Sequence, residues 1–374
     1  MNKRKMKFNA TFAILLSVIF LTSCNLGLFS KENSKNYDYD FAIYADDEVL
    51  TFEREDNELK LLERIPRKNE KKLGFWKEIF VEHENFYFTK TTANDKNFQL
   101  LAKINKNNLD VNYYQTKGID GAFSLVPDGK YLHVSHSFVD RLEFETYDLN
   151  FNKVKTKVIP VEHSTYPNQM IVKGDKVYIL IGIGLSNGEL KNQIWVMNNE
   201  FDLEEVIDLN YSEGGLLRMV LAGDTFYITN TNEGLTAERE PGPANKLVSY
   251  NLSTGEQKTI ELETPYPLHI YFDSKRNNLI IWHYELYLPT FTYTVYSLND
   301  GSSKIIDFPE YEEFRRANPM QPPFVLFKDN YYFLFEDKLV EYSPDTNQKK
   351  EYSLKEFGMS NPTGLLAKEK GFWR

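Results

Sequence analysis

Short runs of apolar residues, bounded by turn residues, fill most of the 374-residue chain. Val, Ile, Tyr, Phe and Thr recur in runs of four to eight, and Asn, Asp and Gly separate these runs. The first group favours extended backbone and the second favours tight turns. Long stretches with the 3.6-residue period of an amphipathic helix do not occur. The pattern therefore predicts an all-β protein.

Two kinds of predicted β-hairpin alternate along the chain, each with a polar turn between two apolar runs. The first kind covers residues 78–90, 123–135, 169–181, 217–229, 268–282 and 324–335, with a weaker copy at 364–374. The second kind covers residues 49–65, 100–114, 144–159, 194–209, 247–262, 294–308 and 339–354. One hairpin of each kind makes a four-stranded antiparallel sheet.

The hairpins repeat with a regular spacing. Successive turns of the second kind are 45, 48, 55, 46 and 46 residues apart, with centres at Ile104, Leu149, Met197, Leu252, Leu298 and Pro344. A period of ~40–50 residues with four strands is typical of β-propeller blades. Seven copies predict a propeller of seven four-stranded blades, with six or eight blades as the alternatives.

The two ends of the chain each supply part of one blade. Residues 41–55 have the pattern of a blade that lacks its first strand, and residues 362–374 have the pattern of that strand. Pairing of the two ends would close the ring and leave no open sheet edge. Phe372 and Trp373 overlap the position of residues 41–43, so a second register of closure is open.

The spacing resembles that of the WD-repeat-like and quinoprotein-like propellers. The Gly-His and Trp-Asp pairs of WD repeats are missing, and four Trp residues are too few for one docking Trp per blade. The resemblance therefore implies an architecture, which does not fix a function.

The first 24 residues have the order of a secretory signal peptide. Four cations in residues 1–7 precede an apolar run from Phe8 to Leu21, which is shorter than a membrane-spanning helix requires. The run ends in Leu21-Thr22-Ser23-Cys24, and Cys24 is the only cysteine of the chain. An ordinary signal peptide, or an N-terminal helix with a chance cysteine, would also fit these residues.

This ending resembles the lipobox of bacterial lipoproteins. The resemblance implies that a diacylglycerol is attached to the Cys24 sulfur and that cleavage makes Cys24 the new N-terminus. Two acyl chains are enough for stable attachment to a membrane. The expected organisation is a signal peptide (1–23), a lipidated N-terminus with a flexible tether (24–37) and a propeller (38–374). The expected location is the outer face of the cell membrane.

Charge and composition exclude several partners. The leader holds four cations and no acid, so its removal takes the net charge from −10 to −14. An acidic surface does not suit nucleic acid, and it is repelled by anionic lipid. A chain whose one thiol carries lipid has no disulfide and no cysteine-ligated metal. The six histidines lack metal-binding spacing. We therefore expect no cofactor and no metal, and a monomeric body.

Candidate ligand-binding residues come from the loops on one face of the ring. Propellers bind on the face that carries the loops between strands two and three and between blades, and the loops here at 230–245 and 283–291 are long. Aromatic residues in the predicted connections between blades are suited to stacking on a flat ligand. The candidates are Trp76, Tyr166, Glu233, Arg239, Tyr266, His283, Tyr284 and Tyr287. Blade packing and a tolerated surface loop are the alternatives.

Binding is favoured over catalysis. The chain has no Gly-x-Ser-x-Gly motif, no P-loop and no Asp-rich calcium loop. The favoured function is a membrane-anchored propeller that binds a surface protein, peptide or glycan, or serves as an accessory subunit of a membrane complex. The alternative is an extracytoplasmic hydrolase or lyase, with Arg218, His133 and His269 as candidate residues near the axis.

Overall fold

The computed structural model describes residues 35–45, 47–55, 58–67, 81–93, 96–115, 123–186, 188–235, 241–284, 288–309, 324–335, 337–359 and 362–369, without the side chains of 91–99 and 234–241. In these ranges the chain forms 28 strands and a short 3-10 helix at Lys355–Phe357. The expectation of an all-β protein is confirmed. None of the helical structure in these ranges is long and apolar enough to cross a membrane.

The strands form seven four-stranded antiparallel sheets. Blade one contains, from the inside outwards, β28 (Gly364–Ala367), β1 (Phe41–Tyr44), β2 (Glu48–Glu55) and β3 (Glu58–Pro66). Blade two contains β4 (Val81–Glu82), β5 (Phe86–Ala93), β6 (Lys96–Asn105) and β7 (Val111–Gln115). Blade three contains β8 (Ser124–Pro127), β9 (Tyr131–Ser137), β10 (Arg141–Asp148) and β11 (Lys153–Pro160). Blade four contains β12 (Ser164–Lys173), β13 (Lys176–Gly184), β14 (Leu190–Asn198) and β15 (Leu203–Leu209).

The other three blades follow in chain order. Blade five contains β16 (Leu216–Ala222), β17 (Thr225–Leu235), β18 (Pro241–Asn251) and β19 (Gln257–Glu261). Blade six contains β20 (Pro267–Asp273), β21 (Asn278–His283), β22 (Phe291–Ser297) and β23 (Ser303–Phe308). Blade seven contains β24 (Phe324–Phe327), β25 (Asn330–Leu334), β26 (Lys338–Ser343) and β27 (Gln348–Ser353).

The first strands of neighbouring blades lie next to one another. Contacts join β4 to β8, β8 to β12, β12 to β16, β16 to β20 and β24 to β28. The first strands therefore line the central axis, and the fourth strands lie outside, where β11 and β15 are largely exposed. The fold is a seven-bladed β-propeller, and the alternatives of six and eight blades are wrong.

Both ends of the chain close the ring. Strand β28 pairs with β1, with Ala367 opposite Phe41 and Gly364 opposite Tyr44. Hydrogen bonds extend the pairing on both sides, from the Thr363 N–H to the Tyr44 carbonyl at 2.7 Å and from the Lys368 N–H to the Asp40 carbonyl at 3.1 Å. The predicted closure is confirmed.

Of the weak hairpin predicted at 364–374, the described residues contain the first strand, β28, which pairs with β1. Phe372 and Trp373 lie outside the described residues.

The core lies between the blades. A cluster between blades seven and one contains Phe41, Phe52, Tyr332 and Leu365, and another between blades six and seven contains Trp282, Tyr293 and Phe333. Large aromatic side chains fill the wedge between sheets that fan out from a common axis. This packing accounts for much of the high aromatic content, which includes 27 Phe and 24 Tyr.

Antiparallel order gives the ring two distinct faces. The connections between blades and between the second and third strands share one face, which we call the top face. The turns between the first and second strands and between the third and fourth strands share the opposite face, which we call the turn face. The sequence predicted binding on the top face.

Candidate binding face

Three neighbouring blades share a β-bulge near the start of their innermost strand. The register shifts at Asn168 in β12, at Leu217 in β16 and at Leu268 in β20. A bulge adds one unpaired residue and re-aims the side chains beside it. The residues that follow the bulges are polar in all three strands: Gln169, Arg218 and His269.

Two of these polar side chains join blade four to blade five. The Met219 N–H donates to Gln169 Oε1 at 2.8 Å. The Arg218 guanidinium donates through Nη1 to the Asn168 carbonyl at 3.1 Å, and Asn168 Nδ2 donates to the Leu216 carbonyl at 2.8 Å. Arg218, a candidate for the catalytic alternative, is thus bonded to the neighbouring innermost strand.

Hydroxyl groups make similar bonds at other junctions. Ser137 Oγ donates to the Thr165 carbonyl at 2.7 Å, which joins blade three to blade four. Thr229 Oγ1 and Thr231 Oγ1 donate to the Leu268 and Pro267 carbonyls, each at 2.8 Å, which joins blade five to blade six. Buried hydroxyls and carbonyls require partners, so these bonds fix the starts of the innermost strands relative to one another. The top face of blades three to six is therefore a rigid support.

Tyr166 is an exposed aromatic residue on this support. The sequence placed it in a connection between blades, but it is the third residue of β12, because pairing with β13 continues to Ser164 opposite Gly184. Its side chain is 43% exposed, and its ring centre lies 5.8 Å from that of Phe123. An exposed aromatic ring on a fixed strand is suited to stacking on a flat or apolar group.

The loop predicted at 230–245 is mostly strand. Strands β17 and β18 continue to Leu235 and Pro241, which are paired, and two register shifts interrupt the ladder. Proline is tolerated because bulges and edge positions do not need its N–H. Only residues 236–240, which include Arg239, connect the strands, and they lie outside the described residues. We call residues 230–235 and 241–246 the blade-five ribbon.

A lysine at the base of the ribbon holds two carboxylates. Lys246 Nζ forms an ion pair with Glu213, in the connection between blades four and five, and another with Glu233 at 3.3 Å. The hydrogen bond to Glu213 is the main cause that raises the pKa of Lys246. Glu233, a predicted ligand-binding residue, therefore lies on the top face but is already paired with Lys246.

The foot of the ribbon rests on a polar cluster that the sequence analysis missed. Asn192 Nδ2 donates to the Tyr211 carbonyl at 3.1 Å and to the Gly214 carbonyl at 2.9 Å. Asn230 Nδ2 donates to the Tyr211 hydroxyl at 2.5 Å. A Cβ atom on Gly214 would lie 2.3 Å from the Asn232 carbonyl oxygen, so the ribbon requires glycine there. The Gly214-Gly215 pair between two predicted strands was the available signal.

Two candidates from the loop at 283–291 belong to the core of blade six. His283 and Tyr284 are both buried, so their assignment to a surface loop is corrected. His283 Nδ1 lies 2.7 Å from the Pro265 carbonyl and therefore donates to it, and Nε2 accepts from Thr294 Oγ1 at 2.8 Å. Burial lowers the pKa of His283 to about 4.

Tyr266 lies at the last position before blade six. Its φ of 59° is in the left-handed region, which is unusual for a residue other than glycine. Its N–H donates to the Ala244 carbonyl at 2.6 Å, and its carbonyl accepts from the Tyr284 N–H at 2.8 Å. Tyr266 thus connects the third strand of blade five to blade six. The other candidates, Cys24, Trp76 and Tyr287, lie outside the described residues.

The histidine candidates for catalysis lie inside their blades. His133 is bonded to Asp128 at 2.9 Å and to Thr146 at 3.1 Å, and His269 stacks on Trp282 with ring centres 5.3 Å apart. Both are buried. Among the described residues, no group of three or more His, Cys, Asp or Glu side chains is placed to hold a metal ion.

Comparisons with known proteins identify the fold only. No protein-family model matches the chain, and no curated protein matches it. A putative 6-phosphogluconolactonase from Bacteroides fragilis NCTC 9343 superposes with a TM-score of 0.55 at 10% identity, over 90% of this chain and 99% of that one. A putative 6-phosphogluconolactonase from Bacteroides uniformis ATCC 8492 superposes with a TM-score of 0.54 at 10% identity, over 87% of this chain and 98% of that one.

A third similar structure is the dihydro-heme d1 dehydrogenase NirN in complex with DHE. It has a TM-score of 0.50 at 12% identity, over 90% of this chain and 77% of that one. At 10–12% identity these likenesses show the propeller fold alone and do not bear on activity.

Proposed function

We propose that this chain is a lipoprotein on the outer face of the cell membrane, and that its propeller binds a protein, peptide or glycan or serves as an accessory subunit of a membrane complex. The leader supports the anchor, because a basic head, a short apolar run and Leu-Thr-Ser-Cys stand in the order of a lipobox. Cys24 is the residue that would carry the lipid.

The blade-five ribbon is the observation that carries the binding function. Its strands β17 and β18 are each 11 residues long, longer than any other strand in the described residues, and the ribbon is bonded to blade six through Thr231. Lys246 and the cluster at Gly214 hold its base in place. A paired ribbon on the same face of the ring as an exposed aromatic such as Tyr166 is typical of a recognition surface rather than of a tolerated loop.

The alternative function is an extracytoplasmic hydrolase or lyase. Two propellers of similar fold are described as putative 6-phosphogluconolactonases, which is why this function is retained. Its candidate residues Arg218 and His133 are engaged in hydrogen bonds between and within blades. Binding is therefore the better supported function.

The anchor is tested by replacing Cys24 with alanine in the native cell. The wild-type chain should fractionate with the membrane and incorporate labelled palmitate, and Cys24→Ala should lose both. Ser23→Ala is the matched control, because it keeps a small residue before the cysteine and should be anchored normally. Membrane retention and labelling of Cys24→Ala would contradict the anchor.

A further inference from the structure

Arg218 has no carboxylate partner among the described residues. It lies in β16, the innermost strand of blade five, directly after the bulge at Leu217. Its Nη1 atom donates to the Asn168 carbonyl of blade four at 3.1 Å and to the Leu217 carbonyl at 3.2 Å. These bonds fix the guanidinium between the innermost strands of blades four and five, next to the central axis.

The other edge of this guanidinium, formed by Nε and Nη2, makes no hydrogen bond within the described part of the chain. Arg218 is partly exposed, and neither atom belongs to the buried polar groups without a partner in that part, so the edge is open to solvent. Two other arginines show what such an edge binds. Arg54 holds Glu341 through Nε and Nη2 at 3.2 and 3.1 Å, and Arg276 holds Asp345 through the same atoms at 2.9 and 3.0 Å. This edge matches the two oxygens of a carboxylate.

Two amide side chains at the same junction supply a further donor and acceptor. Gln169 Oε1 accepts the Met219 N–H at 2.8 Å, and Asn168 Nδ2 donates to the Leu216 carbonyl at 2.8 Å. Gln169 Nε2 and Asn168 Oδ1 have no such partner in the ranges that the structure describes, and both residues are partly exposed. A donor and an acceptor on adjacent residues suit hydroxyl groups, which both donate and accept hydrogen bonds.

An exposed aromatic ring lies on the same strand as Asn168. Tyr166 is two residues earlier in β12, which places the two Cα atoms about 6–7 Å apart. Its side chain is 43% exposed, and Phe123 supports it with ring centres 5.8 Å apart. The Tyr166 ring is therefore a surface on which a flat group can stack within reach of the junction.

We propose that Arg218, Gln169 and Tyr166 bind an acidic sugar at the top end of the central axis, with its carboxylate on Arg218 and its ring on Tyr166. This inference rests on the binding function proposed above, and it names a glycan as a ligand of the top face. The single charge of Arg218 balances a carboxylate and not a phosphate dianion. The amide donor and acceptor favour a ring that bears hydroxyls over an apolar peptide side chain.

Titration calorimetry of the full-length protein with methyl β-D-glucuronide tests this site. Methyl β-D-glucoside is the matched ligand, because a hydroxymethyl group replaces the carboxylate on the same ring. We expect the glucuronide to bind about tenfold or more tightly than the glucoside. Arg218→Gln should remove this preference. Tyr166→Ala should weaken both ligands about threefold to tenfold, whereas Tyr166→Phe keeps the ring and should bind as the wild type does.

The control for loss of one positive charge is Arg64→Gln, on β3 of blade one, which should leave the affinity unchanged. Thermal unfolding shows whether each variant is folded, and the comparison of the two glycosides on the wild-type protein needs no variant. Equal affinity for the two glycosides, or wild-type affinity of both Arg218→Gln and Tyr166→Ala, would overturn the site. Hippurate carries a carboxylate and a flat ring without hydroxyls, and its binding as tightly as the glucuronide would overturn the sugar as the ligand.

A photo-reactive group at Pro243 on the ribbon reports the proposed function separately. A partner captured there by a protein that does not bind the glucuronide would overturn the sugar site alone. Neither capture nor glucuronide binding would overturn the proposed function as well.

Discussion

Replacing Leu366 with alanine removes a buried side chain from the strand that closes the ring. Leu366 is 1% exposed and packs in the cluster of blades one and two with Tyr87 and Ile104. Leu365, the residue before it, packs in the cluster of blades seven and one with Val325, because neighbouring side chains of a strand point to opposite faces. The closing strand therefore joins the first blades to the last.

The size of the effect follows from this burial. A buried leucine replaced by alanine costs about 2–5 kcal/mol, from lost transfer energy and the cavity that remains. We expect Leu366→Ala to lower the free energy of unfolding by about 3 kcal/mol, with an unchanged dependence on denaturant. Removal of residues 360–374 deletes β28 altogether, and with it the bond of 2.8 Å from the Tyr87 hydroxyl to the Ala367 carbonyl. That chain should not unfold cooperatively.

Urea denaturation of the propeller body, followed by circular dichroism, measures both variants. The matched control is Leu203→Ala on the outer strand β15, where the side chain is 47% exposed, and its change should stay within about 0.5 kcal/mol. Equal stability of Leu366→Ala and Leu203→Ala, or a wild-type melting curve for the truncated chain, would refute the closure as the source of this stability.

Two further predictions concern the top face. His283 has a pKa of about 4 in the fold and about 6.5 in an unfolded chain. The unfolded chain then binds more protons between these values, so the free energy of unfolding falls by up to about 3 kcal/mol as pH drops from 6.5 to 4. His283→Gln should flatten this dependence relative to His163→Gln, an exposed control, and parallel pH curves for the two would contradict it. Gly214→Ala should lower the free energy of unfolding in urea by about 1–3 kcal/mol, because the new Cβ would overlap the Asn232 carbonyl. Gly129→Ala is the control, because a Cβ there meets no atom and the stability should not change. Equal stability of the two variants would contradict the requirement for glycine at position 214.

The architecture could be predicted because it repeats. Each blade carries its own turn residues between apolar runs, so the seven copies of each hairpin predicted seven blades, with six and eight left open until the sheets were seen. The closing pair, residues 41–44 with 364–367, was predictable from one blade that lacked a strand at one end of the chain and a strand left over at the other.

The binding face could be predicted only in outline. Pairing between β17 and β18 makes most of residues 230–245 strand. The sequence alone indicated a loop there, because Pro241, Gly242 and Pro243 follow one another. His283 looks like a surface residue in the sequence because its partners, Pro265 and Thr294, are 18 and 11 residues away. Bonds between blades, such as that from Thr231 to Pro267, connect distant segments and leave no periodic signal.

The central claim is that the ribbon side of an anchored propeller binds a partner. It is tested most directly by placing a photo-reactive amino acid at Pro243 in the native cell and identifying the crosslinked neighbours by mass spectrometry. The same group at Glu84, in the exposed turn between β4 and β5 on the turn face of blade two, is the control. The account predicts a dominant neighbour at position 243 that is absent at position 84 and disappears when residues 234–242 are replaced by an Asn-Gly turn. No neighbour above background at position 243, or the same neighbours at both positions, would contradict it.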